Sequence, residues 1–232
     1  MIEAAQLEIY YQKYGKQKVD EAIAYLSYKE ASILPKNEDP NFPILYVFRH
    51  GQTVDNANFI FSGWRDADIT EKGIQQAKDL AGMMKDKKVS MLVASDQIRS
   101  IKTMQIAMSL NPAAKDLEII KDPRLKERRY GDLQGKSKLE LQLENPGLLL
   151  EYRRSYSIAP PNGESIEMVV KRVNEFIEEI LPKMKEFKIN VAVSCHGNSI
   201  RGFRRYFEGL SDEQTAQVET PLAQDYAAYS IR

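Results

Sequence analysis

Cysteine occurs once in the 232 residues, at Cys195, so no disulfide can form within the chain and a small disulfide-stapled scaffold is excluded. A lone cysteine suits a reducing, cytoplasmic setting, and the charged Glu3, Glu8 and Lys13 stand where an export signal would be apolar. Long apolar runs are missing too. The stretch 44–48 is among the longest, far short of the roughly 18 residues that a membrane span requires. The chain has no net charge, with 33 Lys and Arg against 33 Asp and Glu, so it exerts no overall pull on nucleic acid or an anionic membrane. Any cationic site must be local. Histidine is scarce, at two residues, and no His/Cys/Glu cluster stands at zinc-ligand spacing, so no metal is expected. No internal repeat or low-complexity tract appears. The remaining composition, 43 % hydrophobic and 28 % charged, is that of a globular chain with room for one α/β domain.

Short apolar runs alternate with amphipathic segments. Residues 44–48 predict a buried strand, preceded by a proline-punctuated stretch over 35–43. Thr70 predicts a helix N-cap, followed by Ile74, Ala77, Ala81 and Met84 at helical spacing. Residues 91–94 predict a second strand, then a helix capped by Ser95 or Asp96 with Ile98, Ile101, Met104 and Met108 on one face. Ser165 predicts the cap of a long helix with the stripe Val169, Val173, Phe176 and Ile180, which Pro182 should kink or end. Residues 189–194 predict the next strand, Asn198 the cap of a helix closed by Gly209, and 226–231 a final strand. The pattern argues for a three-layer α/β fold: a mostly parallel open sheet with helices on both faces. Residues 44–232 would form that domain. Residues 1–43 read as an N-terminal helical extension, with Leu7, Tyr10, Tyr11 and Tyr14 in one stripe and Val19, Ala22, Ile23 and Leu26 in another. Such a pair packs on the main domain, or else serves self-association or partner docking.

In parallel sheets the ligand site lies beyond the carboxyl ends of the strands. Both histidines fall there, His50 in Arg49-His50-Gly51 and His196 in Cys195-His196-Gly197, and the glycine after each lets the backbone approach a ligand closely. A neutral imidazole is a competent nucleophile near neutrality. Phosphoryl transfer to it needs cations over the phosphoryl oxygens and an acid for the leaving oxygen. Arg49 is adjacent, Arg99 lies in the first turn of the helix after the second strand, and Glu127 is a candidate proton donor.

Five blocks then carry a resemblance: Arg49-His50-Gly51-Gln52-Thr53; Phe61-Ser62-Gly63-Trp64 through Asp68 with Thr70-Glu71-Lys72-Gly73; 126–135; Arg153-Arg154-Ser155-Tyr156; and His196-Gly197-Asn198-Ser199-Ile200-Arg201. From about residue 44 onward the chain resembles the histidine phosphatase superfamily, and within it the cofactor-dependent phosphoglycerate mutases. The resemblance implies that His50 is the phosphorylated nucleophile and Glu127 the general acid/base, with Arg49, Arg99 and His196 clamping the transferring group. It further implies that Asn56, Ser62, Gly63, Tyr130, Lys138, Arg153, Arg154, Gly197 and Asn198 hold the phosphoglycerate, and that 2,3-bisphosphoglycerate primes the enzyme without a metal. A second cationic cluster of Lys138, Arg153 and Arg154 suits a substrate bearing both a carboxylate and a phosphate.

Two positions depart from the mutase pattern. Gln52 replaces a common glutamate, and 156–165 is short where larger mutases carry an insertion. Three functions follow: a phosphoglycerate mutase interconverting 3- and 2-phosphoglycerate, a phosphatase of small phosphoesters or phosphosugars, or a non-catalytic phosphoryl-binding or docking module. The partners expected are small phosphoglycerates, not nucleic acid or membrane. Cys195 is expected to be a buried spectator, and Trp64 either core or site lining.

Overall fold

The computed structural model describes Ile2, residues 4–27 and residues 33–232; Met1, Glu3 and residues 28–32 of the extension lie outside the described residues. The helices are α1 (Ala4–Tyr14), α2 (Lys16–Ser27), α3 (Val54–Ala57), α4 (Glu71–Met84), α5 (Ile98–Ala107), α6 (Lys138–Glu144), α7 (Pro146–Arg154), α8 (Ile166–Phe187), α9 (Gly197–Glu208) and α10 (Asp212–Gln217). The strands are β1 (Ile44–Arg49), β2 (Met91–Ala94), β3 (Ile119–Lys121), β4 (Val191–Cys195) and β5 (Tyr226–Ser230).

Every residue of β1 is buried, because successive side chains enter two different cores. Leu45 and Val47 join Val169, Val173, Phe176 and Phe203 from α8 and α9. Ile44, Tyr46 and Phe48 join Leu80, Met84 and Met104 from α4 and α5. Helices therefore cover both faces of a five-stranded sheet of order β3-β2-β4-β1-β5. The first four strands run parallel, and β5 returns antiparallel to β1 at the edge. This is the three-layer, mostly parallel architecture that the alternation of strands and helices implied.

Register places the site. Arg49 on β1 pairs with Cys195 on β4, so His50 and His196 leave neighbouring strands at the same level. Ala94 of β2 pairs with Ser194, which brings Ser95 to that level from the other side.

Several local expectations need correction. The cap of α5 is Gln97, without a side-chain cap bond, because Ser95 Oγ is committed to His196 and Asp96 is exposed. The buried face of α5 is largely polar, Arg99, Ser100 and Thr103 beside Met104 and Ala107, while Ile98 and Ile101 are only half-buried. Ser100 Oγ donates to Ser194 O at 2.6 Å and Thr103 Oγ accepts from Gly51 N at 3.0 Å, so this face clamps β4 and the loop after β1. His196, not Asn198, is the N-cap of α9. Pro182 lies inside α8, which continues to Phe187; Pro182 and Glu178 one turn earlier are both exposed, so water can serve the orphaned carbonyl. The short edge strand β3, with two of its three residues exposed, gives no apolar run to read.

The helical pair α1 and α2 turns its stripes inward. Tyr10, Val19, Ala22 and Leu26 are buried with Phe61, Leu139, Leu143 and Leu149. Tyr14 Oη donates to Glu144 at 2.5 Å and Lys18 Nζ to Leu143 O at 2.9 Å, tying the pair to α6. Beyond it, residues 35–37 run beside β5: Ala228 N donates to Pro35 O at 2.8 Å and Asn37 N to Ala228 O at 3.0 Å. Among the described residues no helix is long and apolar enough to cross a membrane.

Candidate active site

A cavity lies at the carboxyl ends of β1 and β4. It is lined by Arg49, His50, Asn56, Ser62, Gly63, Arg99, Glu127, Tyr130, Lys138, Arg153, Gly197, Asn198, Arg201 and Glu219. Of the residues that the sequence nominated, all but His196 and Arg154 form this wall.

The ring of His50 lies 5.0 Å from that of His196, centroid to centroid. His50 Nδ1 stands 2.7 Å from Gly51 O, which can only accept, so Nδ1 carries a proton and the neutral ring has its lone pair on Nε2. His196 is completely buried behind this ring. Its Nδ1 accepts from Arg99 Nε at 3.3 Å, so Nε2–H donates to Ser95 Oγ at 2.6 Å. Burial, followed by the Arg99 charge, drives the His196 pKa well below the ordinary histidine value, and the ring is neutral.

Arg99 is fastened by Nη1 to Arg65 O and by Nη2 to Gly63 O, each at 2.8 Å. Arg49 Nη1 donates to Thr220 O at 2.8 Å, while its Nε is buried with no hydrogen-bond partner in the protein. Ser62 Oγ is likewise buried and unpaired. An unsatisfied buried polar group costs about 1–3 kcal/mol. Both residues line the same cavity, and each atom is a hydrogen-bond donor left without a protein partner.

Glu127 Oε1 accepts from Arg128 N at 2.7 Å and Asn198 Nδ2 at 2.9 Å. Burial would raise this carboxyl, but the Arg128 N–H, the Arg49 charge and the Asn198 amide outweigh it and hold it below the usual glutamate range. The backbone of Glu127 is gripped as well. Gln97 Oε1 accepts from its N–H at 3.0 Å, and its carbonyl accepts from Trp64 Nε1 at 2.8 Å and Arg172 Nη2 at 3.0 Å. Trp64 is thus neither core nor lining: at 41 % exposed it is a prop for the carboxylate's backbone.

The second cationic cluster is rearranged relative to the sequence reading. Lys138, whose Nζ donates to Ile60 O at 2.7 Å, and Arg153 line the cavity. Arg154 stands behind this wall, paired with the wall residue Glu219, and reaches the carbonyls of Ala216 and Gln217 at 3.4 Å each. Arg201 takes a place on the wall, with Nη1 donating to Asn198 Oδ1 at 3.0 Å. Its spacing of three from Asn198 on one helix was the available signal. Glu219 had none; the loop after α10 carries no pattern. Among the described residues no group of three or more His, Cys, Asp or Glu side chains could hold a metal ion. A larger cavity, lined by α1, α2, the start of α4 and residues 220–222, shares Asn56, Lys138 and Arg153 with the first.

A sequence profile of the histidine phosphatase superfamily (branch 1) matches residues 45–231. A 2,3-bisphosphoglycerate-dependent phosphoglycerate mutase of Cytophaga hutchinsonii is 36 % identical over 179 residues, covering 76 % of this chain and 83 % of that one. Its counterpart in Erythrobacter litoralis is 35 % identical over 210 residues, covering 78 % and 90 %. Among solved structures, Bacillus stearothermophilus YhfR superposes with a TM-score of 0.72 at 24 % identity, covering 80 % of this chain and 90 % of that one. A mycobacterial glucosyl-3-phosphoglycerate phosphatase gives 0.72 at 24 %, covering 80 % and 92 %. At that identity the structures speak to fold alone.

Proposed function

This chain belongs to the histidine phosphatase superfamily, and we propose that it is a phosphoglycerate mutase that interconverts 3- and 2-phosphoglycerate through a phosphohistidine at His50. The observation that carries the reading is one cavity holding both the nucleophile with its clamp (His50, Arg49, Arg99, Glu127) and a second set of cations (Lys138, Arg153, Arg201). A plain phosphomonoester uses only the first set. A phosphoglycerate, with carboxylate and phosphate, uses both.

The site also suits the primer. The buried unpaired donors Arg49 Nε and Ser62 Oγ would hold an oxyanion of 2,3-bisphosphoglycerate. When bound, that molecule supplies the phosphoryl group that His50 carries.

From phospho-His50, the substrate hydroxyl oxygen attacks phosphorus. The P–N bond breaks and its electron pair returns to Nε2. Glu127 is ionised at rest and accepts the hydroxyl proton in this step, acting as base. In the return step Nε2 attacks the other phosphate, the P–O bond breaks, and Glu127 gives its proton back to that oxygen. Arg49 and Arg99 stabilise the charge that builds on the phosphoryl oxygens. Neutral His196 orients Arg99 through Nδ1.

A second reading, a phosphatase of small phosphoesters or phosphosugars, is favoured by the larger adjoining cavity, which offers room beyond a glycerate. Phosphorus NMR separates the two after incubation with 3-phosphoglycerate, with and without 2,3-bisphosphoglycerate. The mutase reading expects 2-phosphoglycerate to appear, faster with the bisphosphate. Inorganic phosphate as the sole product replaces it with the phosphatase. No turnover and no acid-labile label on the protein would leave a binding module.

A further inference from the structure

We propose that Glu219 is a specificity-determining residue that weakens the site's hold on a second phosphate, so that singly phosphorylated ligands are favoured over doubly phosphorylated ones. The inference rests on the phosphoglycerate reading above and adds a residue to it.

Glu219 lines the catalytic cavity from the loop between α10 and β5. Its carboxylate pairs with Arg154 and stands 3.9 Å from Arg153. An internal anion therefore occupies part of the cationic cluster that a substrate's second anionic group would use. The backbone around it is also held. Arg201 Nε donates to Val218 O at 3.0 Å, and Arg49 Nη1 donates to Thr220 O at 2.8 Å. Both backbone neighbours of Glu219 are thus tied to arginines of the cavity wall, which keeps the residue at the cavity, while Arg154 holds its carboxylate. Burial would raise its pKa, but Arg154, Arg201 and Arg49 bring it down to about 2, so it is ionised at any working pH.

The effect on a ligand follows from charge. A phosphate carries about −1.5 to −2 near neutrality, so a bisphosphate brings far more negative charge past Glu219 than a monophosphate does. Glu219 is partly exposed, so added salt weakens this repulsion. A merely structural counter-ion would behave otherwise: its loss would lower stability and leave the relative affinity of the two ligands alone.

The test is equilibrium binding of 3-phosphoglycerate and 2,3-bisphosphoglycerate, measured by calorimetry on the full chain. A His50→Asn background removes the nucleophile so that neither ligand is turned over. Adding Glu219→Gln is expected to tighten the bisphosphate about tenfold and the monophosphate by no more than about threefold, with the gap narrowing as salt is raised. Glu219→Asp, which keeps the charge, should keep the parental ratio. If Glu219→Gln does not fold, Glu219→Asn carries the same measurement. Equal tightening of both ligands, or unchanged affinities in a folded neutral variant, overturns the proposal. A protein that turns over no phosphoglycerate but shows the shifted ratio loses the mutase assignment and keeps this one. Absence of binding by either ligand overturns both.

Discussion

On the proposed reading, His50 and Glu127 divide the chemistry by where their protons sit. Gly51 O fixes the His50 proton on Nδ1, and the donors around Glu127 keep its carboxyl ionised. His50→Ala should abolish acid-labile phosphate labelling and lower turnover by on the order of 10⁴-fold or more. Glu127→Gln should lower kcat by about 10²- to 10⁴-fold. Its labelling from 2,3-bisphosphoglycerate should also slow, because the leaving oxygen loses its proton donor. His196 makes a prediction about stability. Its folded pKa is depressed, so below about pH 6.5 the unfolded chain binds a proton that the folded chain refuses. That contribution to stability is present above this pH and is lost as pH falls. Urea midpoints should decline through the acid range, and should decline less in a folded His196→Gln variant.

Secondary elements were legible wherever apolar spacing alone decided them. The α8 stripe is buried as read, since Val169, Val173, Phe176 and Ile180 face one core. Where polar side chains decided, the reading failed for a physical reason. Ser95 and Asn198 have the chemistry of caps, yet the site spends their side chains on His196 and on Glu127 with Arg201. The buried polar face of α5 defeats a hydrophobic stripe for a similar reason: it grips β4 and the loop after β1. That His50, His196, Arg49, Arg99 and Glu127 gather at one sheet edge was legible, because strand ends and motif spacing mark them. Glu219 was not, since its loop carries no pattern, and that Arg154 reaches the wall only through its pair with Glu219 could not be read without that partner. The loop after β1 is packed closely against α4. A Cβ on Gly51 would stand 2.4 Å from Gly73 O, and one on Gly73 would stand 2.2 Å from Gln52 O. Gly51→Ala should therefore cost about 1–3 kcal/mol in a urea titration, or more if the loop cannot shift, and should impair labelling of His50 as the loop moves.

At the scale of the whole molecule, the buried unpaired donors of the cavity predict ligand-dependent stability. Binding that satisfies Arg49 Nε and Ser62 Oγ favours the folded state by mass action. The melting temperature should rise with 2,3-bisphosphoglycerate concentration, and the rise should shrink in Arg49→Ala. The extension contributes to the same architecture from the other end. Its helices bury Phe61, which sits beside Ser62 of the site, and its exit strand-wise past β5 completes the hydrogen bonding of Ala228. An open β edge is a template for pairing with another chain. Residues 35–37 occupy that template, so a chain beginning at residue 38 would present β5 bare. Such a protein should self-associate by light scattering more strongly than one beginning at residue 33, which lacks α1 and α2 equally but keeps residues 35–37, and that difference makes the proline-punctuated stretch a guard against unwanted sheet extension as much as a connector.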